Sequence, residues 1–517
     1  MSQSRSAQPD RGRERVPSRV PPFSANPAAR AAGPDRRVLA VLTVATLLAG
    51  VVALLSKQWC RVNGWETPGV HIHMCYSDFG QLFPTRGLAE GYFPFYTPLP
   101  EEQWMEYPAL LAVVAGVTSW LVPAEGTLLE RTVTYFDINA VGAMLCWLVV
   151  VIATAYTARG RSKDALMVAV APGIILTSFL NWDLWAVMLA ALGLLLWSRN
   201  HPVLAGAVLG LGAAMKLYPL FFFGAILVLC WRAGRLGVFF KSLAAGVVAW
   251  LAVNVPFMLT AFDQWSRFYT FSGDREVSFS SMWLAFTWTG WSGEAFSLIS
   301  NGLFALCCLG VAWLGLSART RPRMAQLCLL IVAAFLLLGK VYSPQFVMWL
   351  VPLVVLARPD WKQFWIWQAA EVYHWGGVWM ESARITSDGA FGGGALWIPL
   401  WYGSGIVLHM AAVIWICVSV IRDIRNPERD LVRRSAPALA APAGPTAGDR
   451  ATTGGEAAMV SAGSGAGTAG TGTAVVYDPS AGVLAGEPDR FLLPPAGRGP
   501  VRVGSRPSVH DGPERRP

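Results

Sequence analysis

Three short polar segments interrupt long apolar runs: Asn181-Trp182-Asp183, Lys216-Leu217-Tyr218-Pro219 and Lys340-Val341-Tyr342-Ser343-Pro344-Gln345. A charged side chain at the centre of a bilayer costs about 2.5–3.5 kcal/mol, less near the edge, so two lysines and a carboxylate here require a reason. Two readings fit the lysines. Each can snorkel to lipid headgroups, or Lys216 and Lys340 can hold a phosphate as point charges. Tyr218 and Tyr342, two residues after each lysine, suit a headgroup belt or a phosphate site equally. Asp183 can cap a helix entering at Trp182, and Ser343-Pro344 reads as a cap followed by a first-turn proline.

A second group of candidates lies in one long polar loop, which contains Cys60, His71, His73, Cys75, Asp78, Arg86, Glu90 and Glu106. Asp78, in Tyr76-Ser77-Asp78-Phe79-Gly80, is the only acid between Glu66 and Glu90. It is either a solvated loop residue or a base held next to a substrate hydroxyl. Glu106, before Tyr107-Pro108, sits where the positive end of a helix dipole would favour it. His71 and His73, with no further ligand pattern, give only a weak metal signal, and no metal site is expected. Glu371 and His374 are three apart, so they share a helix face; they form a structural hydrogen bond or face a cavity. Residues 260–295 add Trp265, Trp283, Trp288 and Trp291 among Asp263, Arg267, Asp274, Arg275 and Glu276. Such rings suit a sugar face or an interfacial belt.

The elements that must position these residues are helices. Of 517 residues, 54% are hydrophobic and 14% charged, whereas soluble domains carry about a quarter charged residues. An all-α polytopic membrane protein is expected, with about twelve transmembrane helices near 38–56, 137–158, 164–180, 182–198, 203–215, 217–231, 240–259, 296–317, 324–339, 345–357, 363–381 and 397–421. Arginine and lysine clusters at 159–163, 199, 232–241, 319–323, 358–362 and 422–425 recur every two runs, which places them and both termini in the cytoplasm. Pro108–Pro123 would spoil that parity by crossing, so it reads as re-entrant, with a thirteenth span as the alternative. Residues 57–136 then form a long first extracytoplasmic loop. Only Cys60 and Cys75 of the eight cysteines lie on the oxidising side, and a disulfide between them fits.

The ends differ from the membrane domain, 38–425. Residues 1–37 hold eight arginines and three acids and read as a disordered basic cytoplasmic arm. Residues 426–517 read as a disordered cytoplasmic tail. The arm contributes most of the net charge of +9, and beside a membrane it attracts anionic lipid rather than nucleic acid.

The order of these motifs resembles glycosyltransferase family 87, polyprenol-phosphate-mannose-dependent enzymes of the C superfamily of membrane glycosyltransferases. The resemblance covers roughly residues 38–422. It rests on Tyr76–Gly80, Glu106-Tyr107-Pro108, Asn181–Leu184, Val341–Phe346 and, most specifically, Ala205–Pro219. It implies a C-type fold and makes Asp78 the catalytic base, with Lys216, Lys340 and His374 at the lipid-phosphate site. Tyr218, Tyr342, Gln345, Glu371, Asn181, Asp183 and Glu106 join them as substrate-binding candidates. No Asp-x-Asp pair suggests a metal-bound nucleotide sugar, so neither metal nor cofactor is expected.

The reading is an inverting glycosyltransferase in the plasma membrane. It would move a hexose, most readily mannose, from a polyprenyl-phosphate sugar donor to a glycolipid or glycan acceptor on the outer face. The alternative is a transporter or flippase of a lipid-linked sugar, which would need outward lysines but no base at Asp78.

Overall fold

The computed structural model describes residues 33–435, 478 and 480–489. The basic arm up to residue 32 lies outside the described residues, as does most of the tail beyond residue 435. The described residues are helical, without a strand; two segments meet only in an isolated bridge between Ser278 and Val341.

Five helices are long and apolar enough to cross a membrane: α1 (Arg36–Leu55), α4 (Leu128–Thr157), α8 (Leu236–Thr260), α10 (Gly293–Ser317) and α14 (Trp397–Arg425). They carry exposed large side chains such as Leu48, Val52, Val248, Leu306, Leu309 and Val407. Apolar surface of this extent has to face lipid. Between them run α2 (Asp78–Thr85), α3 (Ala109–Ser119), α5 (Asp183–Ser198), α6 (Pro202–Met215), α7 (Phe222–Arg232), α9 (Phe262–Asp274), α11 (Met324–Leu338), α12 (Val347–Ala357) and α13 (Trp361–Thr386). Every residue of α12 is buried, so this helix is the core around which the others pack. The 11-residue α3 is about 16 Å long at 1.5 Å per residue, half a hydrocarbon thickness.

The run expected to span at 164–180 is instead broken into Ser162–Ala165, Leu166–Ala169 and Pro172–Thr177. Pro172, at the first position of its turn, prevents a continuous helix. The break is tolerated because the segment is buried in protein: the side chain of Gln368 on α13 accepts a hydrogen bond from Gly173 N at 2.8 Å.

Glycines set the closest helix approach. On α6, a Cβ at Gly206 would lie 1.9 Å from Ser242 O, and one at Gly210 2.1 Å from Gly246 O on α8. This small-residue seam fixes where α6 ends, and hence where Lys216 emerges.

The two ends of the bundle carry different chemistry. At one end Arg323, 1% exposed, donates to Leu356 O, Ala357 O and both carboxylate oxygens of Asp430. Arg358 pairs with Asp423, and buried Arg232 reaches Gly315 O, Ala318 O and Asp489. The tail was expected to be unstructured throughout. Its described pieces depart from that: Asp430 and Asp489 neutralise buried arginines, and Leu484 is buried nearby at 2% exposure. At the opposite end lie Asp78, Glu106, Lys216 and Lys340.

Candidate active site

The loop after α1 is held by a disulfide between Cys60 and Cys75 and by Lys57, whose Nζ donates to Tyr76 O at 2.9 Å. Ser77 caps α2 by accepting from Phe79 N and donates in turn to Phe179 O at 2.7 Å. The amide of Asp78 donates to Leu180 O at 2.7 Å. Backbone and cap together therefore dock Asp78 beside Asn181-Trp182-Asp183, about a hundred residues along the chain.

The carboxylate of Asp78 is 8% exposed and accepts two phenol hydrogen bonds, Tyr76 to Oδ1 at 2.8 Å and Tyr107 to Oδ2. Tyr107 also accepts from Asn181 Nδ2 at 3.3 Å, and its ring lies 4.7 Å from Lys216 Nζ. Lys216 pairs with Asp183 at 2.8 Å, and Trp349 Nε1 donates to the other oxygen of Asp183 at 2.9 Å. Burial pushes the Asp78 carboxyl above the usual carboxylate range. The hydrogen bonds from Tyr107 and Tyr76 and the charge of Lys216 hold it back, while the charge of Asp183 raises it further. Burial, with the charge of Asp78, keeps both phenols protonated and able to donate. A carboxylate pinned through both oxygens and made more basic by burial can take a proton from a hydroxyl that reaches it.

Asp78 opens into a cavity of about 1290 Å³. Of the residues singled out in the sequence, Asp78, Glu106, Lys216, Lys340 and Gln345 line it. Glu106 pairs with Arg86 at 3.1 Å across its edge. Lys340 Nζ donates to Gly273 O at 2.8 Å and Arg275 O at 2.7 Å, so it ties down the end of α9 and keeps one donor over. Burial lowers its ammonium below the usual lysine range, partly offset by Asp274 and Glu276. Arg275 also lines the cavity, its guanidinium 5.7 Å from the ring centroids of Phe271 and Phe279. Leu217, Phe268, Phe304 and Phe335 give the cavity an apolar flank.

His71, Arg86, Asp274, Glu276 and Ser343 also line the cavity, whereas Asn181, Asp183, Tyr218, Tyr342, Glu371 and His374 stand behind its wall. Asn181 and Asp183 are buried supports: Asn181 Oδ1, not Asp183, caps the helix, accepting from Asp183 N at 3.0 Å. Tyr218 is buried and stacks on Trp349 at 4.5 Å. Ser343 makes no capping hydrogen bond, although Pro344 does open a helical turn. Tyr342, Glu371 and His374 are buried in a seam beside α14. His71 bonds Thr386 and stacks on Trp379, while His73 stacks on Trp59.

Sequence reasoning passed over Tyr76, Tyr107 and Trp349, which hold the two carboxylates. The first two sit inside Tyr76–Gly80 and Glu106-Tyr107-Pro108, where the acid drew the attention. His409, 35 residues from His374, carried no local signal.

The described residues thus form a helical membrane domain with a buried carboxylate facing a cationic, half-apolar cavity. The family model of glycosyltransferase family 87 matches residues 104–339, which contain Glu106, the Asn181–Asp183 turn, Lys216 and the glycine seam. The match bears out the resemblance: over these residues, somewhat under half of the chain, the sequence is similar to that glycosyltransferase family. No curated protein matches the chain.

Proposed function

We propose that the protein is an inverting glycosyltransferase that moves a hexose, mannose in the first instance, from a polyprenyl-phosphate donor to a glycolipid or glycan hydroxyl on the outer face of the plasma membrane. The observation that carries this reading is the pinned, buried Asp78 carboxylate opening into a cavity that also holds Lys216, Arg275 and Lys340.

In this reading Asp78 takes the proton of the acceptor hydroxyl as its oxygen attacks the anomeric carbon. The bond from that carbon to the phosphate oxygen breaks, and polyprenyl phosphate leaves with the electron pair. A phosphate leaving group needs no general acid, so one carboxylate is enough, and a single displacement inverts the anomeric centre. Cations beside the phosphate stabilise the charge that grows on it. They are differently committed: Lys216 is neutralised by Asp183, and two donors of Lys340 hold backbone carbonyls. Among the described residues, Arg275 has no carboxylate within ion-pair distance, and it therefore carries most of the phosphate contact. The lipid lies along Leu217, Phe304 and Phe335.

The test is transfer from a polyprenyl-phosphate-mannose donor to membrane acceptors, with wild type and Asp78→Asn at matched abundance. The expected result is loss of transfer by about 10²–10⁴-fold in the variant, with donor binding retained. Equal activity of the two proteins would overturn the base assignment. Donor binding without transfer by the wild type would favour a lipid-linked sugar transporter.

A further inference from the structure

Helices α13 and α14 approach closely where glycines face the partner backbone. A Cβ at Gly405 would lie 3.1 Å from the Cα of His374, and one at Gly377 3.0 Å from the Cα of Tyr402. Into this seam project Glu371 and His374 of α13 and His409 of α14, at 4%, 1% and 0% exposure. One Glu371 oxygen accepts from Trp367 Nε1 at 2.8 Å. The other, Oε2, lies 4.0 Å from His374 Nδ1 and 3.6 Å from His409 Nδ1. The three candidate ligating atoms all fall within 4.8 Å of one another.

Neither His374 Nδ1 nor either ring nitrogen of His409 has a hydrogen-bond partner, and the nearby Tyr342 hydroxyl has none either. An unsatisfied buried polar group costs about 1–3 kcal/mol, and several in one apolar seam are too many to leave unpaired. We propose that Glu371, His374 and His409 bind one divalent transition-metal ion, with zinc the expected metal, between α13 and α14.

The donor set suits that ion. Two imidazole nitrogens and one carboxylate oxygen, with a fourth position open, match zinc preferences. The outer contacts are those of ligands held in orientation: Ser280 Oγ bonds Nε2 of His374, and Trp367 holds the second oxygen of Glu371. The two imidazoles lie parallel, 3.9 Å apart. Binding turns them so that their in-plane lone pairs converge, and draws the ligands to about 3.3 Å apart, the edge of a tetrahedron with bonds of about 2.0 Å.

None of the three ligands lines the cavity, so the ion does not meet the substrate. It clamps the last two long helices together. Through Ser280 it also braces the turn carrying Phe279, whose carbonyl accepts from Tyr342 N at 2.9 Å in the cavity wall.

The experiment uses the full chain purified on a tag free of histidine, equilibrated with zinc, cleared by gel filtration and analysed by elemental mass spectrometry. The wild type should retain about one zinc per chain, and His409→Gln and Glu371→Gln less than about a tenth of that. His73→Gln, which removes a histidine stacked on Trp59 in the outer loop, should retain the wild-type amount. X-ray absorption at the zinc edge of the wild type gives a readout that does not depend on variants folding. Two imidazoles and one carboxylate oxygen at about 2.0 Å are expected. A zinc-free wild type, equal zinc in His409→Gln, or a shell lacking imidazole scattering would each overturn the proposal.

Discussion

Both oxygens of Asp78 are engaged by phenols, and in the proposed reaction, with Asp78 as base, this arrangement has a consequence for pH. As a base it must be deprotonated, so transfer falls as pH drops through its pKa, which burial sets above the ordinary carboxylate value. The Tyr107 hydrogen bond acts in the opposite direction by stabilising the charged form. Tyr107→Phe removes that bond and leaves an apolar ring. The acid limb of kcat/KM should therefore move to higher pH. A limb that stays in place or moves down would show that Asp78 is not the titrating group. The sign for stability is the reverse of that for activity. A raised folded pKa means that the folded chain holds the proton more tightly than the unfolded chain does. This contribution is full below the unfolded pKa and is lost as pH rises through the folded one. At this scale Asp78, Lys216 and Lys340 were legible because charge among apolar residues is rare. Tyr107 was not, because a tyrosine beside an apolar run reads as a belt residue until its hydroxyl is seen to meet a carboxylate.

The stretch Ala205–Pro219 is the most specific sequence signal, and its physical basis is the contact between α6 and α8. Gly206 and Gly210 let the two backbones come close enough that a Cβ would overlap a carbonyl oxygen. Backbone cannot retreat as a flexible side chain can, so Gly210→Val forces the helices apart. The expected cost is at least about 1–3 kcal/mol, the range for overpacking, read as a lower Tm and lower yield of folded protein in detergent. Transfer should fall as well, because Lys216 lies one residue past the end of α6. A Gly210→Val chain as stable as wild type would show that the seam is looser than its geometry. Most apolar runs were legible as helices to within a few residues from hydropathy alone. The run 164–180 was not, because its composition is that of a span. Only its burial against Gln368 shows why a helix broken before Pro172 is tolerated. The pieces of tail that pack on the arginines were equally hidden, since Asp430 and Asp489 gain partners only once distant helices bring Arg323, Arg232 and Arg321 together.

Across the whole molecule, charge is sorted between the two ends of the bundle. Arg232, Arg323 and Arg358, which lie in the clusters expected in the cytoplasm, are satisfied by carbonyls and by Asp423, Asp430 and Asp489 at one end. The disulfide, Asp78 and the cavity occupy the other. The helix α13 joins the ends: its 26 residues run about 39 Å, from Trp361 near the arginines to Thr386 beyond the cavity-lining Trp379. We propose the orientation that the positive-inside rule favours, with the arginine end cytoplasmic; the disulfide at the other end suits an oxidising compartment. Both Lys362 and Asp388 are exposed at opposite ends of this helix. A membrane-impermeant maleimide applied to intact cells should therefore label Asp388→Cys above the background of the unsubstituted chain. Lys362→Cys should react only after the membrane is opened. The opposite pattern would turn the enzyme over, place Asp78 in the cytoplasm, and require an acceptor on that side. Labelling of both positions in intact cells would mean that α13 does not cross, and with it the alternation of basic loops would lose its meaning.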